Sequence, residues 1–175
     1  MTAQIGYRDR AALPRLGAAA PKGPVVLDTN VFVNALVGRG GAELKALLSN
    51  LPLSLVSGAT IAELNWVGGR LDPAHPETEH VVAKYEAILA QIPPTKILVP
   101  NAAQWAEAGL LAGRAARAVA GRARSIRTAF DRIELINDAV TAIVATSAGA
   151  TIVTQDSDFD LFMQLEPKLH VLFYG

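Results

Sequence analysis

The 175-residue chain contains no cysteine and only three histidines. The absence of cysteine excludes a disulfide framework, thiolate metal sites and a cysteine nucleophile, and it fits a reducing compartment. The histidines, His75, His80 and His170, show no metal-ligand spacing, so we assign them no role. No apolar run approaches the roughly 18 residues of a membrane span, and residues 1–22 lack the apolar core of a signal peptide. We therefore expect a cytoplasmic protein without a membrane partner.

Several motifs that would indicate other activities are also missing. The sequence contains neither the HExxH of zinc proteases nor the GxxxxGK[ST] loop that binds nucleoside triphosphates. Asp156, Asp158 and Asp160 alternate as in an EF-hand, but the sixth loop position, normally glycine, is Leu161. The twelfth position, normally glutamate, is Pro167. A calcium loop of this type is therefore excluded.

The charge of the chain is balanced in total but uneven along its length. The formal net charge is zero, so bulk charge does not indicate a nucleic-acid partner. Residues 102–132 hold six arginines and two acids, whereas residues 133–175 hold six acids and one lysine. This pattern suits an enzyme that binds a phosphate backbone and holds a metal ion. It also fits an arginine-bearing segment that only solvates the protein, and charge alone leaves both interpretations open.

Hydrophobicity predicts strands that alternate with helices after residue 23. The predicted strands are residues 25–27, 53–56, 96–99, 151–153 and 169–173. The predicted helices are a segment from about residue 31 and residues 43–49, 59–67, 79–91, 102–120 and 134–148, with a turn at residues 156–160. This alternation predicts an α/β fold, a three-layer α/β/α sandwich with a central parallel sheet of about five strands.

The beginning of the chain differs from the rest. Residues 1–23 are rich in Ala, Arg, Gly and Pro and show no period. We interpret residues 1–23 as an N-terminal extension that is free to be flexible. Residues 24–175 then form a single domain, large enough to bury a core without disulfides or structural metals.

Two acidic residues are expected at the carboxyl ends of strands. Asp28 directly follows the first predicted strand, and Asp156 comes shortly after the fourth. Ligands of open parallel sheets collect at this edge, and two acids that converge there need a neutralising cation. Structural roles remain open for both. Asp28 could cap the following helix, with Thr29 and Asn30 as rival caps, and Asp156 could close an Asx turn.

A third acid, Asp138, lies on a helix that is apolar almost all round and is therefore expected to be buried. An unpaired charge in such a place is costly. A metal ion would remove that cost, and so would an arginine in a buried salt bridge. Asn137 could support the acid by hydrogen bonding or could lie on the surface.

The fourth acid, Glu63, has a competing explanation at the start of a helix. Thr60 to Glu63 match the capping box, in which the glutamate folds back on the first amide of the helix. If Ser57 caps the helix instead, the side chain of Glu63 is free. A cluster of these four acids would offer only oxygen ligands, which suit Mg²⁺ or Mn²⁺. Such ions activate water and neutralise charge in phosphoryl chemistry, so no protein nucleophile is needed.

These residues resemble the motifs of the PIN-domain family and, within it, the VapC-type toxins of bacterial toxin–antitoxin systems. The opening motif is VVLDTN at residues 25–30, followed by IAEL at 61–64, NDA at 137–139 and TQDSDF at 154–159. Their order and approximate spacing agree with the family across about residues 24–173.

The resemblance implies a PIN-like fold, a Mg²⁺ or Mn²⁺ site and cleavage of RNA that leaves a 5′-phosphate. It assigns catalytic roles to Asp28, Glu63, Asp138 and Asp156. The three aspartates would hold the metal, and Glu63 would ligate it or position the attacking water. Asp158 could replace or assist Asp156. The resemblance also implies a small antitoxin partner that blocks the site, and a homodimer.

Other residues are assigned supporting roles. The hydroxyls of Thr29 and Thr154 could orient a ligand, a water or a phosphate. A group of arginines before Asp138 would contact the RNA backbone with steep salt dependence and little sequence information. These arginines are Arg114, Arg117, Arg122, Arg124 and Arg127.

Three other functions compete with the endoribonuclease. A non-catalytic PIN-like module that binds RNA or another protein would be expected to lose acids, whereas this chain keeps all four. A phosphatase of the haloacid-dehalogenase type needs an aspartate where this chain has Asn30. A receiver-type signalling domain expects a further strand-end aspartate near the middle of the chain, and the sequence has no matching acid there.

Overall fold

The computed structural model describes residues 5–36, 39, 41–50, 54–120 and 128–175. The strands in these ranges are β1 (Val25–Leu27), β2 (Ser54–Ser57), β3 (Ile97–Leu98), β4 (Thr151–Thr154) and β5 (His170–Phe173). The α-helices are α1 (Thr29–Leu36), α2 (Gly41–Asn50), α3 (Gly58–Arg70), α4 (Thr78–Ala90), α5 (Ala102–Ala118), α6 (Ala129–Ser147) and α7 (Asp158–Leu165). No helix of the described part is both long and apolar enough to cross a lipid bilayer.

The five strands form one sheet in the order β3-β2-β1-β4-β5, and every neighbouring pair is parallel. The predicted parallel sheet of about five strands is therefore confirmed. The strand order reverses between β1 and β4, where Leu27 pairs with Val153. In an open parallel sheet, the crevice outside the carboxyl ends at such a reversal is the usual ligand site.

Helices cover both faces of the sheet. Side chains alternate along β1, so Val26 packs into one core with residues of α5, α6 and α7. Val25 and Leu27 point the other way and pack into a second core with Val31 of α1 and Leu44 of α2. The sheet is thus sandwiched between two helical layers, as the alternation of elements predicted.

The predicted turn at residues 156–160 is wrong in its second half. Helix α7 begins at Asp158, and its residues Phe159, Leu161 and Phe162 are fully buried. Their packing against the core favours a helix, and this outweighs the turn signal of the alternating aspartates. Helix α6 also begins earlier than predicted, because Thr128 and Asp131 form a capping box there.

The described part of the N-terminal segment lies against the domain. Leu13 and Leu16 are buried, one in each core. The backbone amide of Leu16 donates to the carbonyl of Phe173 at 2.8 Å, beside strand β5. Arg8 also forms an ion pair with Asp160 of α7. The division into an extension and a domain stays a prediction, but residues 5–24 contribute to both cores.

Candidate active site

Acidic side chains line a cleft of about 340 Å³ at the carboxyl edge of the sheet. We call this the acidic cleft, and its acids are Asp28, Glu63, Glu134, Asp138, Asp156 and Asp158. The fold therefore brings together the four acids that the sequence singled out, although they are spread over more than 120 residues of the chain. Their individual roles stay predictions.

Asp28 lies at the point where the strand order reverses. Its side chain is only 5% exposed. One carboxylate oxygen accepts a hydrogen bond from the backbone amide of Thr29 at 2.7 Å. The other accepts from the hydroxyl of Thr154 at 2.6 Å and from the side-chain amide of Asn30. The contact with Thr154 crosses from β1 to β4, so the pairing of these two strands sets the orientation of Asp28.

Asn30 is itself held by a polar network behind the cleft. Its side-chain oxygen accepts from the backbone amide of Gln155 at 3.1 Å and from the hydroxyl of Tyr174 at 3.0 Å. The amide of Asn34 donates to Gln155 at 2.9 Å and to Tyr174 at 3.0 Å. The sequence suggested Asn30 only as a rival helix cap, and its role in orienting Asp28 was missed. A polar residue two positions after the strand-end acid was the available signal.

The geometry at the start of α3 excludes the capping-box explanation for Glu63. The hydroxyl of Ser57 caps this helix by accepting from the amide of Ala59 at 3.2 Å, so Glu63 lies inside the helix. One oxygen of Glu63 accepts from the hydroxyl of Thr29 at 2.5 Å, and the other accepts from the side-chain amide of Asn137 at 3.1 Å. Glu63 is therefore oriented into the cleft by groups of α1 and α6.

Helix α6 contributes two acids to the cleft. Glu134 and Asp138 are four residues apart and so lie on the same face of the helix. Within the described ranges, Asp138 has no arginine or lysine at salt-bridge distance, which counts against the buried ion pair considered from the sequence. Sequence reasoning overlooked Glu134, although its spacing from Asp138 was a usable signal.

Asp156 combines a structural contact with its place in the cleft. One of its carboxylate oxygens accepts from the backbone amide of Asp158 at 2.8 Å, which is the Asx turn considered from the sequence. The amide of Asp156 donates to the hydroxyl of Thr154 at 2.8 Å. The carboxylate of Asp158 accepts from the hydroxyl of Tyr7 at 2.5 Å. Both acids line the cleft, so the choice between them as a ligand stays open.

Burial and neighbouring charges raise the pKa of three acids in the cleft, Asp28, Asp138 and Glu134. Burial raises the pKa of Asp28 to about 7, with further increases from the charges of Asp156 and Glu63. Burial also raises the pKa of Asp138 well above its usual value, and the charge of Asp28 adds to the effect. The pKa of Glu134 is raised as well, chiefly by partial burial. A cation in the cleft would oppose all three shifts.

The chemistry of the cleft fits a hard divalent cation. Its donors are carboxylates with neighbouring hydroxyl and amide groups, and the chain has no sulfur ligand from cysteine. Among the described residues, no group of three or more histidine, cysteine or acidic side chains is positioned to hold a metal ion. Mg²⁺ does not require one, since it keeps several waters and takes one or two carboxylates directly. An open cleft lined by acids is therefore compatible with this ion.

The arginines proposed to bind RNA are not part of the cleft where they are described. Arg114 and Arg117 are exposed on α5, and neither lines the acidic cleft. The other three candidates, Arg122, Arg124 and Arg127, lie outside the described residues. The assignment of all five to RNA binding stays a prediction.

A second cleft of about 460 Å³ adjoins the first, between α3 and α6. We call it the aromatic cleft, and its apolar lining is Ala62, Trp66, Val67, Phe130 and Ile133. Its boundary with the acidic cleft is shared, because Thr29, Glu63 and Glu134 line both. This surface could not be predicted from the sequence, because α3 and α6 are distant in the chain.

The family model that matches the sequence is that of the PIN domain, over residues 25–162. The chain belongs to the PIN domain family. The match spans β1 to most of α7 and includes all four acids singled out from the sequence. No curated protein matches the chain.

Solved structures support the fold assignment. A chain in the structure of FitAB bound to an IR36 DNA fragment is 19% identical, with a TM-score of 0.62 over 85% of this chain and 94% of that one. A chain of VapBC2 from Rickettsia felis, bound to a promoter DNA fragment, is 20% identical with a TM-score of 0.58, over 87% and 100%. A chain of VapBC-5 from Mycobacterium tuberculosis is 22% identical with a TM-score of 0.55, over 87% and 99%. At these identities the likeness establishes the PIN fold.

Proposed function

We propose that this PIN-domain protein is a divalent-metal-dependent endoribonuclease. The observation that carries the proposal is the convergence of Asp28, Glu63, Asp138 and Asp156 on one cleft at the reversal of strand order. The pKa values of Asp28 and Asp138 are raised by burial and by neighbouring acids, and such perturbed carboxylates in a cleft are typical of functional sites. A divalent cation would neutralise part of this negative charge and would also attract an anionic phosphodiester, whereas a purely structural role would leave the repulsion unrelieved.

The contacts of the side chains suggest separate roles for them in metal binding and proton transfer. Asp28, Asp138 and Asp156 would hold Mg²⁺ or Mn²⁺, and Asp158 would replace or assist Asp156 as a ligand. Bound there, the cation would lower the pKa of a water and neutralise charge on the phosphate. Glu63, whose carboxylate accepts hydrogen bonds from Thr29 and Asn137, would accept a proton from the attacking water.

We further propose that the protein is the toxin of a toxin–antitoxin pair and acts as a homodimer. The toxin role rests on the likeness to chains of the VapBC and FitAB structures, and the homodimer rests only on the resemblance of the sequence motifs to VapC-type toxins. The VapBC-5 structure is of a member of the VapBC family of toxin–antitoxin systems, so by analogy a small antitoxin would bind this chain and block the acidic cleft. The analogy is one of fold, and the four acids are the reason to extend it to activity.

Cleavage of a mixed structured RNA by the purified protein tests the nuclease directly. Wild type is compared with Asp28→Asn in Mg²⁺, in Mn²⁺ and in EDTA. Asp72→Asn is the matched control, because Asp72 is an exposed acid between α3 and α4 that does not line the cleft. We expect metal-dependent cutting by wild type and the control, and at least a hundredfold loss in Asp28→Asn, about 3 kcal/mol of transition-state stabilisation.

Other results would change the assignment. Cutting that persists in EDTA would contradict the metal dependence. Equal cutting by wild type and Asp28→Asn would show that the activity does not come from the acidic cleft. If wild type binds RNA but cuts no substrate with either metal, the non-catalytic binding module becomes the better description of the protein.

A further inference from the structure

Two aromatic side chains stand exposed beside the acidic cleft. Trp66 and Phe130 are each 50% exposed, and their ring centroids lie 6.0 Å apart with a tilt of 42°. The buried residues of α3 are Ala59, Thr60 and Leu64, so Trp66 is not part of the core contact of its helix. Large aromatic side chains are normally buried or placed at binding surfaces, and the position of this pair therefore calls for a ligand.

We propose that Trp66 is a stacking platform for a base of the RNA strand whose backbone enters the acidic cleft. This inference rests on the proposed ribonuclease function and adds a contact that positions the substrate. Stacking on an aromatic ring is tolerant of sequence, because every base has a π-face. It also requires an unpaired base, so the substrate at this point would be single-stranded RNA or a loop.

The order of chemical groups along the surface supports a nucleic-acid strand as the occupant. Thr29, Glu63 and Glu134 line both clefts, so the aromatic surface continues directly into the acids. On α3, the guanidinium of Arg70 lies 4.8 Å from the centroid of the Trp66 ring. The guanidinium lies over one face of the ring, so the surface presents acids beside a tryptophan that is stacked with a cation.

A nucleotide strand carries both kinds of group that this surface can bind, phosphates and bases. A scissile phosphate held at the acids through a cation would be followed by a base on Trp66 and by a second phosphate near Arg70. An apolar peptide segment has no negatively charged group to pair with the guanidinium at this position. A second copy of the chain would bring like charges together, because Glu63 and Glu134 border the aromatic residues.

Intrinsic fluorescence tests the contact without requiring cleavage. The chain has two tryptophans, and Trp105, on α5, is 48% exposed and lines neither cleft. Trp105→Phe leaves Trp66 as the only tryptophan. We expect a short single-stranded oligoribonucleotide, added in Mg²⁺ and again in EDTA, to quench Trp66 at least in Mg²⁺, and an abasic oligomer of equal length to quench it far less. Equal quenching by the two oligomers, or none, would overturn the inference.

Kinetics provide a second, independent test with a matched pair of variants. Trp66→Leu should raise the KM for single-stranded RNA about tenfold or more, as expected for the loss of one stacked base. Trp66→Phe, which keeps an aromatic face, should retain most of the affinity. Trp105→Leu removes an equally exposed tryptophan elsewhere and should leave KM unchanged. If Trp66→Leu and Trp105→Leu have the same KM, Trp66 does not bind the substrate.

The two tests separate this inference from the proposed function. Active enzyme with an unchanged KM in Trp66→Leu would overturn the stacking platform and leave the nuclease intact. Absence of cleavage by wild type would overturn the nuclease, and base-dependent quenching would then still support Trp66 as a base-binding residue. A change in Trp66 fluorescence with protein concentration, without RNA, would assign the surface to self-association and overturn the inference.

Discussion

The hydroxyl of Thr29 donates a hydrogen bond to Glu63 at 2.5 Å, and so joins the start of α1 to α3 across the acidic cleft. Glu63 keeps a second donor, the amide of Asn137 on α6. The carboxylate is therefore fixed from two directions by helices of opposite layers. Such fixation matters for a group that must meet a water in a defined position.

Removal of the Thr29 hydroxyl should weaken catalysis more than folding. In Thr29→Val the amide of Asn137 still holds Glu63, but one oxygen loses its donor. We expect kcat for RNA cleavage to fall about tenfold or more, as for other residues that orient a site, with little change in thermal stability. Thr29→Ser keeps a hydroxyl and should restore most of the activity. An unchanged kcat in Thr29→Val would contradict this role.

The stability of the metal-free protein should depend on pH through Asp28. Its pKa is about 7 in the folded chain, against about 3.9 in an unfolded one. The folded state thus binds this proton more tightly than the unfolded state. The contribution of the bound proton to the free energy of unfolding is fully present below pH 4 and is lost as the pH rises through 7. Asp28→Asn should therefore be more stable than wild type at pH 8, by about 1 kcal/mol or more.

Urea unfolding in EDTA at several pH values measures this difference. The advantage of Asp28→Asn over wild type should shrink as the pH falls from 8 to 4. Asp72→Asn is the control, and its difference from wild type should not change in this way. A pH-independent difference between wild type and Asp28→Asn would contradict the raised pKa.

Addition of Mg²⁺ should stabilise the wild-type protein. Binding to the folded state alone adds about 2.7 kcal/mol when the free ion is at 100 times its dissociation constant. Asp138→Asn should lose most of this gain, because it removes a carboxylate that the proposed site would use. Thermal unfolding with and without Mg²⁺ measures the effect. An equal rise in Tm for wild type and Asp138→Asn would exclude Asp138 as a ligand.

The ion pair between Arg8 and Asp160 should hold the N-terminal segment on α7. Two guanidinium nitrogens of Arg8 lie 2.6 Å from one oxygen of Asp160, whose side chain is 1% exposed. Arg8→Ala leaves this buried carboxylate with fewer donors and should lower the free energy of unfolding by about 1–3 kcal/mol. Arg114→Ala, on the exposed face of α5, should change it by less than about 0.5 kcal/mol. Equal stabilities in chemical denaturation would contradict this.

The two described arginines of α5 should act through the RNA backbone. If Arg114 and Arg117 each contact a phosphate, their joint replacement by glutamine should reduce the slope of log K against log salt by about 1.4 for single-stranded RNA. Binding measured in EDTA at several salt concentrations gives this slope. Lys168→Gln, at an exposed position near β5, serves as the control. An unchanged slope in the double variant would mean that these arginines only solvate α5.

The layers of the fold were predictable because each strand carries its own signal. Val25, Val26 and Leu27 form a short β-branched run that ends in an acid, as expected of a buried parallel strand. Helix α7 was not predictable in this way, since the alternation of Asp156, Asp158 and Asp160 is a strong local turn signal. Burial of Phe159 and Phe162 against distant elements decides the conformation there.

The candidate site likewise has a part that was predictable from the sequence and a part that was not. Asp28 and Asp156 could be placed because the ends of parallel strands meet at one edge of the sheet. The contacts that orient the acids could not, since Asn137 reaches Glu63 across 74 positions and Tyr7 reaches Asp158 across 151. No local pattern encodes such pairs, because they exist only after the helices have packed.

The central strand β1 lies between β2, which follows it closely, and β4, which is made more than 120 residues later. During synthesis, a ribosome-bound chain that ends before β4 can pair β1 with β2 but still lacks Asp156 and the hydroxyl that orients Asp28. Fragments of the chain that end before β4 should have no nuclease activity, even when they are soluble. The nuclease proposed here would thus stay inactive until β4 and Asp156 have been synthesised and have joined the sheet.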